Sequence, residues 1–402
     1  MEFFDPRVSL LSFSRPSLIE TKGNSIRIII QFVIIGLIPL LFGCHDVSKK
    51  GQEWITDKND GLPTSTLSEV GIQEEIIKEI VDSIKTGFYP NRHSLLIYKN
   101  DNLVLEEYFE GQDFIWGKDI GIIKHADTVL HDMRSVSKSV VSACMGLAID
   151  QGKVAGTEQS VFDFFEDFEE YKSEGREALT IEHLLTMTSG LEWNEEVPYD
   201  HPENSEILMN NSGDVIGYVL SRKLKSEPGT EWRYNGGTTE VLAEIIRRVS
   251  GQDIHEFANE HLFQPLGITK SEWTLSPATN RPVAASGLRL TSRDMLKFGI
   301  LYFNEGRWKE NQVISSEWIS KSLQPTIERP GNGGYGYQFW IFELEIGQKH
   351  LRLPAAVGNG DQRIFFDKQN QLLMVTTAGN YNQWDIENNA MAIFKKIYTS
   401  FL

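Results

Sequence analysis

The stretch Met133-Arg134-Ser135-Val136-Ser137-Lys138 runs directly into Ser139-Val140-Val141-Ser142-Ala143-Cys144-Met145-Gly146-Leu147-Ala148-Ile149, a mostly apolar segment with Gly152 just beyond it. Such a run predicts a buried helix stopped at that glycine. Ser135 then stands at the helix N-terminus, and Lys138 lies one turn on, on the same side. Free backbone N–H groups and the positive end of the helix dipole favour an oxyanion at that point, so the geometry suits a nucleophile. An ammonium held beside the hydroxyl and out of water is expected to lose pKa from its reference of about 10.4, so that the neutral amine can accept the serine proton. The plainer alternative makes Ser135 a helix cap and Lys138 an ordinary first-turn residue.

Composition bounds what surrounds this stretch. A chain of 402 residues can bury a large core. Its formal charge of −17 argues against nucleic acid as a partner, because phosphate binding needs a basic surface. Two cysteines, Cys44 and Cys144, make no disulfide framework, and Cys144 falls inside the apolar helix as a small core residue. The nine histidines are scattered. The nearest approach to a zinc motif, His255-Glu256-Phe257-Ala258-Asn259, has asparagine where the second histidine should fall, so the sequence is read as holding no metal site and needing no cofactor.

Toward the N-terminus, residues 28–42 (Ile28-Ile29-Ile30-Gln31-Phe32-Val33-Ile34-Ile35-Gly36-Leu37-Ile38-Pro39-Leu40-Leu41-Phe42) follow the basic Lys22 and Arg27. A run of about 15 residues is short for a membrane span and right for the apolar part of a signal peptide. It ends in Leu41-Phe42-Gly43-Cys44, which resembles a bacterial lipobox. Residues 1–43 are therefore expected to be a lipoprotein-type signal segment with a long basic region, and Cys44 the lipidated first residue of an exported, membrane-anchored protein. Residues 44–70 are polar and read as a tether, and 71–402 as the globular domain.

Within that domain Ile72, Ile76, Ile77, Ile80, Val81 and Ile84 recur at helical spacing. Residues 93–98 and 103–109 read as strands of a hairpin turning at Lys99-Asn100-Asp101-Asn102. A helix and a hairpin ahead of the Ser135 helix suggest an antiparallel sheet with helices packed on it. No Gly-x-Ser-x-Gly elbow, internal repeat or phosphate-binding glycine loop occurs. Residues 180–191 form a capped helix ending in glycine, with His183 as a helix-surface or core histidine. Tyr234 sits among glycines at the junction with a second apolar helix over 241–249. Residues 332–340 read as an aromatic strand, and 357–367 as a strand paired with 371–377.

The order Ser135-x-x-Lys138, then Tyr234, then a glycine-rich segment near the C-terminus resembles the serine β-lactamase and penicillin-binding-protein superfamily. With tyrosine in the second motif it is most similar to the class C branch, which includes family VIII esterases, D-aminopeptidases and 6-aminohexanoate-dimer hydrolases. Leu184-Leu185-Thr186-Met187-Thr188-Ser189-Gly190-Leu191, Pro228-Gly229-Thr230, Pro265-Leu266-Gly267 and Gly287-Leu288-Arg289-Leu290-Thr291 support it in the expected order. The resemblance implies an α+β fold: a mainly antiparallel sheet flanked by helices, plus a helical subdomain. It also implies Ser135 as acylated nucleophile, Lys138 as its proton-tuning partner and Tyr234 as base. The oxyanion hole would be the backbone N–H groups of Ser135 and Gln362.

Two departures shape the functional expectation. Where class C enzymes have Tyr-x-Asn, the third place here is Gly236. Where their third motif begins with lysine, this chain has Asn359, followed by Gly360 and then Asp361 in place of glycine. Asn359 is expected to point into the cleft, with Asp361 on the same strand face adding negative charge at its mouth. The leading expectation is an exported serine hydrolase cleaving an ester or amide of a small molecule or short peptide. The alternatives are a β-lactamase or D,D-peptidase, and a non-catalytic penicillin-recognition protein on the same fold. Trp193, Tyr199, Trp232, Tyr335, Tyr337 and Trp340 are candidates for the wall of an apolar cleft, or for core.

Overall fold

Alternate residues along Arg92–Lys99 (β1) point to opposite sides of a sheet, and both sides are buried. Leu95 and Ile97 join one apolar cluster, and Leu96 and Tyr98 join another. A strand buried on both faces belongs in the middle layer of a three-layer arrangement. The structure, a computed structural model, describes residues 54–402 except 56, 57, 59, 332, 384, 385, 387 and 388. The expected signal segment and Cys44 lie outside the described residues.

In chain order the elements that matter to the site are as follows. Helix α1 (Glu74–Lys85) precedes β1 and β2 (Asn102–Tyr108), which turn through Asn100 and Asp101, both at positive φ. Next come β3 (Glu110–Ile115), β4 (Lys118–Lys124), β5 (His131–Asp132) and helix α2 (Val136–Asp150). Short helices fill the chain from Val161 to Leu220 and make the helical subdomain. They lead to α3 (Gly236–Ser250), β6 (Leu288–Leu290) and α4 (Ser292–Phe303). The chain then forms β7 (Ile327–Glu328), β8 (Gly334–Tyr335), β9 (Trp340–Ile346), β10 (Lys349–Gly358), β11 (Gln362–Asp367) and β12 (Leu372–Ala378), and closes with helix α5 (Asn389–Thr399).

Eight of these strands form one antiparallel sheet in the order β7-β8-β9-β10-β11-β12-β1-β2. Helices α1 and α5 cover one face, where Ile77, Ile80 and Phe394 meet Leu95, Phe365 and Met374. Helices α2, α3 and α4 lie over the other, where Val140, Leu296 and Ile300 meet Leu96, Ile364 and Val375. The fold is α+β, as the sequence implied. Helix α2 is buried on every side from Val136 to Ala148, and an element with no solvent face has to be central.

Three local expectations change. The described residues between 54 and 70 are not a free tether: Trp54, Leu62, Leu67 and Val70 are buried in the domain, and Thr64 bridges to Leu103. Their apolar side chains are too irregularly spaced to announce an element. The aromatic strand expected over 332–340 is broken after Tyr335 by a turn in which Gln338 adopts a positive φ. Residues 357–367 are not one strand either. Val357 and Gly358 end β10, Gln362 begins β11, and the residues between them turn, with Gly360 at φ 87° and Asp361 at φ 74°.

Candidate active site

Met133-Arg134 delivers the nucleophile candidate by a kink. Arg134 sits at φ 50°, its guanidinium 3.2 Å from Asp132 and packed over Trp116 and Tyr381. Ser135 then enters α2 without capping it, so its hydroxyl is not spent on the helix N–H groups. The hydroxyl instead accepts a hydrogen bond of 3.1 Å from Lys138 Nζ, which also donates to the Ala285 carbonyl at 3.1 Å. Tyr234 completes the group: Ser135 and Lys138 both act on its phenol, and its ring centroid lies 5.0 Å from Lys138 Nζ. The three residues singled out from sequence thus converge.

The electrostatics differ from the expectation of a neutral lysine. Burial does push the Lys138 ammonium toward deprotonation, but Tyr234, Glu206 and Glu195 together outweigh it and raise its pKa above the ordinary value. Burial likewise raises Tyr234, with Lys138 opposing. Both directions favour an ammonium at Lys138, donating to Ser135, beside a phenol at Tyr234.

Glu195 and Glu206 escaped the sequence reading. Glu195 accepts hydrogen bonds from Gly236 N–H, Trp193 Nε1 and Tyr199 Oη, and Glu206 accepts one of 2.7 Å from Ser286 Oγ. Glu206 Oε2 lies 3.8 Å from Lys138 Nζ. The two carboxyls share one buried space and shift each other. Burial and then Glu206 push Glu195 up to about 8, while Lys138 and the neighbouring Glu195 carboxyl overcome burial and hold Glu206 low. The pair brings one proton and one negative charge to the side of Lys138. Nothing marks these two among 56 acidic residues except the departure at Gly236. A Cβ there would come 2.7 Å from Glu206 Oε2 and 3.2 Å from Glu195 Oε2.

The residues carried from the third motif are placed differently from one another. Asn359 lines the cavity, but its amide is engaged with Asn382, donating at 2.6 Å and accepting from its N–H at 2.8 Å. Asp361 does not reach the cleft mouth. It is fully buried in ion pairs with Arg92 and Arg363, and it accepts the Ala390 N–H at the start of α5. The positive φ at Gly360 and Asp361 turns it inward, so the expected charge at the mouth is absent. Gln362 is also fully buried on β11, opposite Gly358, with its side chain bonded to Ala378 of β12. The strand end that lines the cavity beside Ser135 is Gly358-Asn359. It presses on the nucleophile segment so closely that a Cβ on Gly358 would stand 2.3 Å from Met133 O.

The cavity over Ser135 has a volume of about 980 Å3. Trp193, Tyr199, Trp232 and Trp340 line it, joined by Phe342 and by Arg329, whose guanidinium lies 4.7 Å from the Trp340 ring centroid. Tyr335 and Tyr337 are core instead: Tyr335 packs behind Trp232 and Trp340, and Tyr337 against Trp318 with its hydroxyl on Glu182. His183 closes the cap of its own short helix with Thr180, and His255 bonds Ser271 at 2.9 Å.

A Ser–Lys–Tyr group with a buried lysine, its serine and tyrosine facing a cavity, agrees in this sheet-and-helix setting with a direct family match, in which residues 93–395 fit the Beta-lactamase family. The chain belongs to the beta-lactamase family. Among its relatives in that family, a 6-aminohexanoate-dimer hydrolase of Paenarthrobacter ureafaciens is 23% identical over 263 residues, which cover 61% of this chain and 65% of the relative. The match thus spans about two thirds of that enzyme's length. A Bacillus anthracis protein assigned as a 6-aminohexanoate-dimer hydrolase superposes with a TM-score of 0.64 at 21% identity, covering 86% of this chain and 87% of its own. EstCE1, a hydrolase with promiscuous acyltransferase activity, gives 0.64 at 15% identity over 81% of this chain and 99% of its own.

Proposed function

We propose that this beta-lactamase family member is a serine hydrolase that cleaves a neutral ester or amide through an acyl-enzyme on Ser135. The observation that carries the reading is the Lys138 hydrogen bond to Ser135 Oγ, with the Tyr234 ring 5.0 Å from the same ammonium. Tyr234, as phenolate, takes the Ser135 proton while Oγ attacks the substrate carbonyl. The oxyanion forms at the helix N-terminus, against the backbone N–H of Ser135 and, at the cleft wall, that of Asn359 rather than Gln362. Collapse of the tetrahedral intermediate passes the proton from Tyr234 to the departing alcohol or amine. Water then gives a proton to Tyr234, attacks the acyl carbonyl, and Ser135 recovers its proton as the acid leaves. Lys138 remains a cation throughout and steadies the phenolate.

The aromatic walls favour an apolar acyl or leaving group, and the relatives assigned to amide and ester chemistry agree with that class. Labelling by a fluorophosphonate probe, lost in Ser135→Ala, together with turnover of p-nitrophenyl esters or short amide oligomers, tests the reading. A folded protein that neither labels nor turns over any of them would leave the non-catalytic alternative. Turnover of nitrocefin or D-alanyl peptides ahead of neutral esters would favour the β-lactamase or D,D-peptidase alternative.

Export rests on the sequence alone. The apolar run ending in Leu41-Phe42-Gly43-Cys44 supports lipidation of Cys44 and anchoring of the domain in the cell envelope. No helix among the described residues is long and apolar enough to cross a membrane. A fatty-acid label that Cys44→Ala abolishes would support the anchor, and an unlabelled, detergent-indifferent product would refute it.

A further inference from the structure

Behind the nucleophile segment, four buried side chains from separate parts of the chain meet: His93 on β1, Asp113 on β3, His125 after β4 and His131 on β5. Their hydrogen bonds fix where the protons are. Asn91 donates its amide N–H to the Gln112 carbonyl at 2.8 Å, which turns its oxygen toward His93 Nε2, 3.2 Å away. His93 Nε2 must therefore carry the hydrogen, leaving Nδ1 with a bare lone pair. His131 Nδ1 lies 3.1 Å from the Asp132 carbonyl and 3.5 Å from the Tyr381 hydroxyl, and donation to the nearer carbonyl leaves Nε2 bare. These two lone pairs face each other across 2.9 Å.

Two lone pairs at that distance repel unless a cation lies between or beside them. Asp113 adds a negative charge: its Oδ1 is 3.7 Å from His131 Nε2 and 4.0 Å from His93 Nδ1, and its Oδ2 is 3.8 Å from His125 Nε2. Those separations are too long for hydrogen bonds. They are a few tenths of an ångström wider than the roughly 3.3 Å between ligands of one tetrahedral ion, and ligand atoms of His93, Asp113 and His125 all lie within 4.8 Å of one another, so a small closure would bring them onto one ion. His125 Nε2 is buried and has no hydrogen-bond partner. Asp113 Oδ1 also accepts from the Phe114 N–H at 2.8 Å and the Tyr381 hydroxyl at 3.4 Å, and among the described residues the basic groups within ion-pair reach of Asp113 are these histidines alone.

We propose that His93 Nδ1, Asp113, His125 Nε2 and His131 Nε2 bind one divalent transition-metal ion of the zinc type. Three imidazoles and a carboxylate suit zinc, and four protein ligands close the site, which makes it structural rather than catalytic. Second contacts of the kind that orient metal-binding histidines are in place on His93 and His131. One adjustment is needed. The His125 ring stacks on His93 at 3.9 Å and 17°, so it must rotate for its lone pair to meet the ion. The ion would pin β1, β3 and β5 together immediately before Ser135, and Tyr381, which stacks on His131 and under Arg134, would feel it. The sequence offered no motif because the ligands come from separate strands and a loop.

The test uses the whole protein, stripped with a chelator, desalted, and given one equivalent of Zn2+ or Co2+. One retained equivalent is expected, with a melting temperature about 5 °C or more above the stripped protein. Co2+ should give the intense visible bands of a four-coordinate ion. Asp113→Asn and His125→Gln should each lose the retained metal and the shift. A wild-type protein that keeps no metal and melts alike with Zn2+ and with chelator overturns the proposal, and so does full metal retention in both variants. Because the readouts are metal content, colour and melting, they stand apart from the hydrolase reading.

Discussion

Gly236 leaves open the space that the Glu206 carboxyl occupies, since a Cβ there would stand 2.7 Å from Glu206 Oε2. The class C pattern carries asparagine at this place. Here its absence admits a buried acid pair whose single negative charge faces Lys138. Gly236→Ala should displace the pair and lower kcat about tenfold while KM changes little, because alignment at the reacting centre is what moves. Glu206→Gln should lower kcat/KM by about tenfold or more. Near wild-type kinetics in both variants would show that the pair does not set the state of Lys138.

Glu195 gives the same pair a thermodynamic signature. An unfolded chain releases this proton near 4.5, whereas the folded chain keeps it up to about 8. Folding therefore takes up a proton between those values, and stability falls as pH rises through that window. Glutamine mimics the protonated acid and cannot ionise. The melting temperature of Glu195→Gln, relative to the wild type, should climb from pH 4.5 to about 8 and level off above. A constant difference across that range would mean that Glu195 is not the proton carrier.

Activity should rise with pH. Burial holds Tyr234 above the ordinary phenol range, so its phenolate is a minor form at neutrality. Lys138, also raised, keeps its charge well into the alkaline range. Log kcat/KM should climb with a slope of about 1 from neutral pH to the limit of alkaline stability. Tyr234→Phe and Lys138→Ala should each lose on the order of 10²-fold, with non-additive effects in the double variant. A profile already flat at pH 7 would point to another base.

Asp361 should matter for stability and not for substrate charge. Asp361→Ala would leave Arg92 without its buried counter-charge, a loss of about 3–5 kcal/mol readable as a lowered urea midpoint. A change under about 1 kcal/mol would refute the assignment.

Substrate charge then turns on Asn359. Neutral esters should be hydrolysed better than matched esters with a carboxylate beside the scissile bond, and Asn359→Lys should narrow the gap. Trp340→Ala should raise KM for apolar esters about tenfold by removing one wall of the cavity. Equal KM values for ethyl and benzyl esters in both proteins would argue that the wall does not hold the substrate.

The sequence was most readable where local pattern and chemistry coincide. The apolar run after Ser135 announced α2, and Asn100-Asp101 announced the β1–β2 hairpin, because single turns and periodicities decide them. Tyr234 was found through motif order rather than through any local property. Residues 357–367 were misread because β-branched and aromatic runs give strand content but not the point where the chain reverses. The inward turn of Asp361 depends on a left-handed conformation that glycine usually signals and aspartate does not. Glu195, Glu206, Asp113 and the three histidines around it were invisible for one reason: their importance lies in convergence across the fold, and each is ordinary alone.

The pairing of β1 with β12 has a consequence for the order in which the protein can form. The first long strand of the domain has its partner at the far end of the chain, and α1 and α5 share one face of that joint. A ribosome releasing this chain exposes β1 and β2 long before β12 exists, so the central seam of the sheet cannot close during synthesis. Such distant pairings are slow to form, and the nascent domain stays open until its last strand emerges. A product cut short before Leu372 would present an unpaired, apolar sheet edge, ready for chaperones or aggregation rather than for a native half-domain.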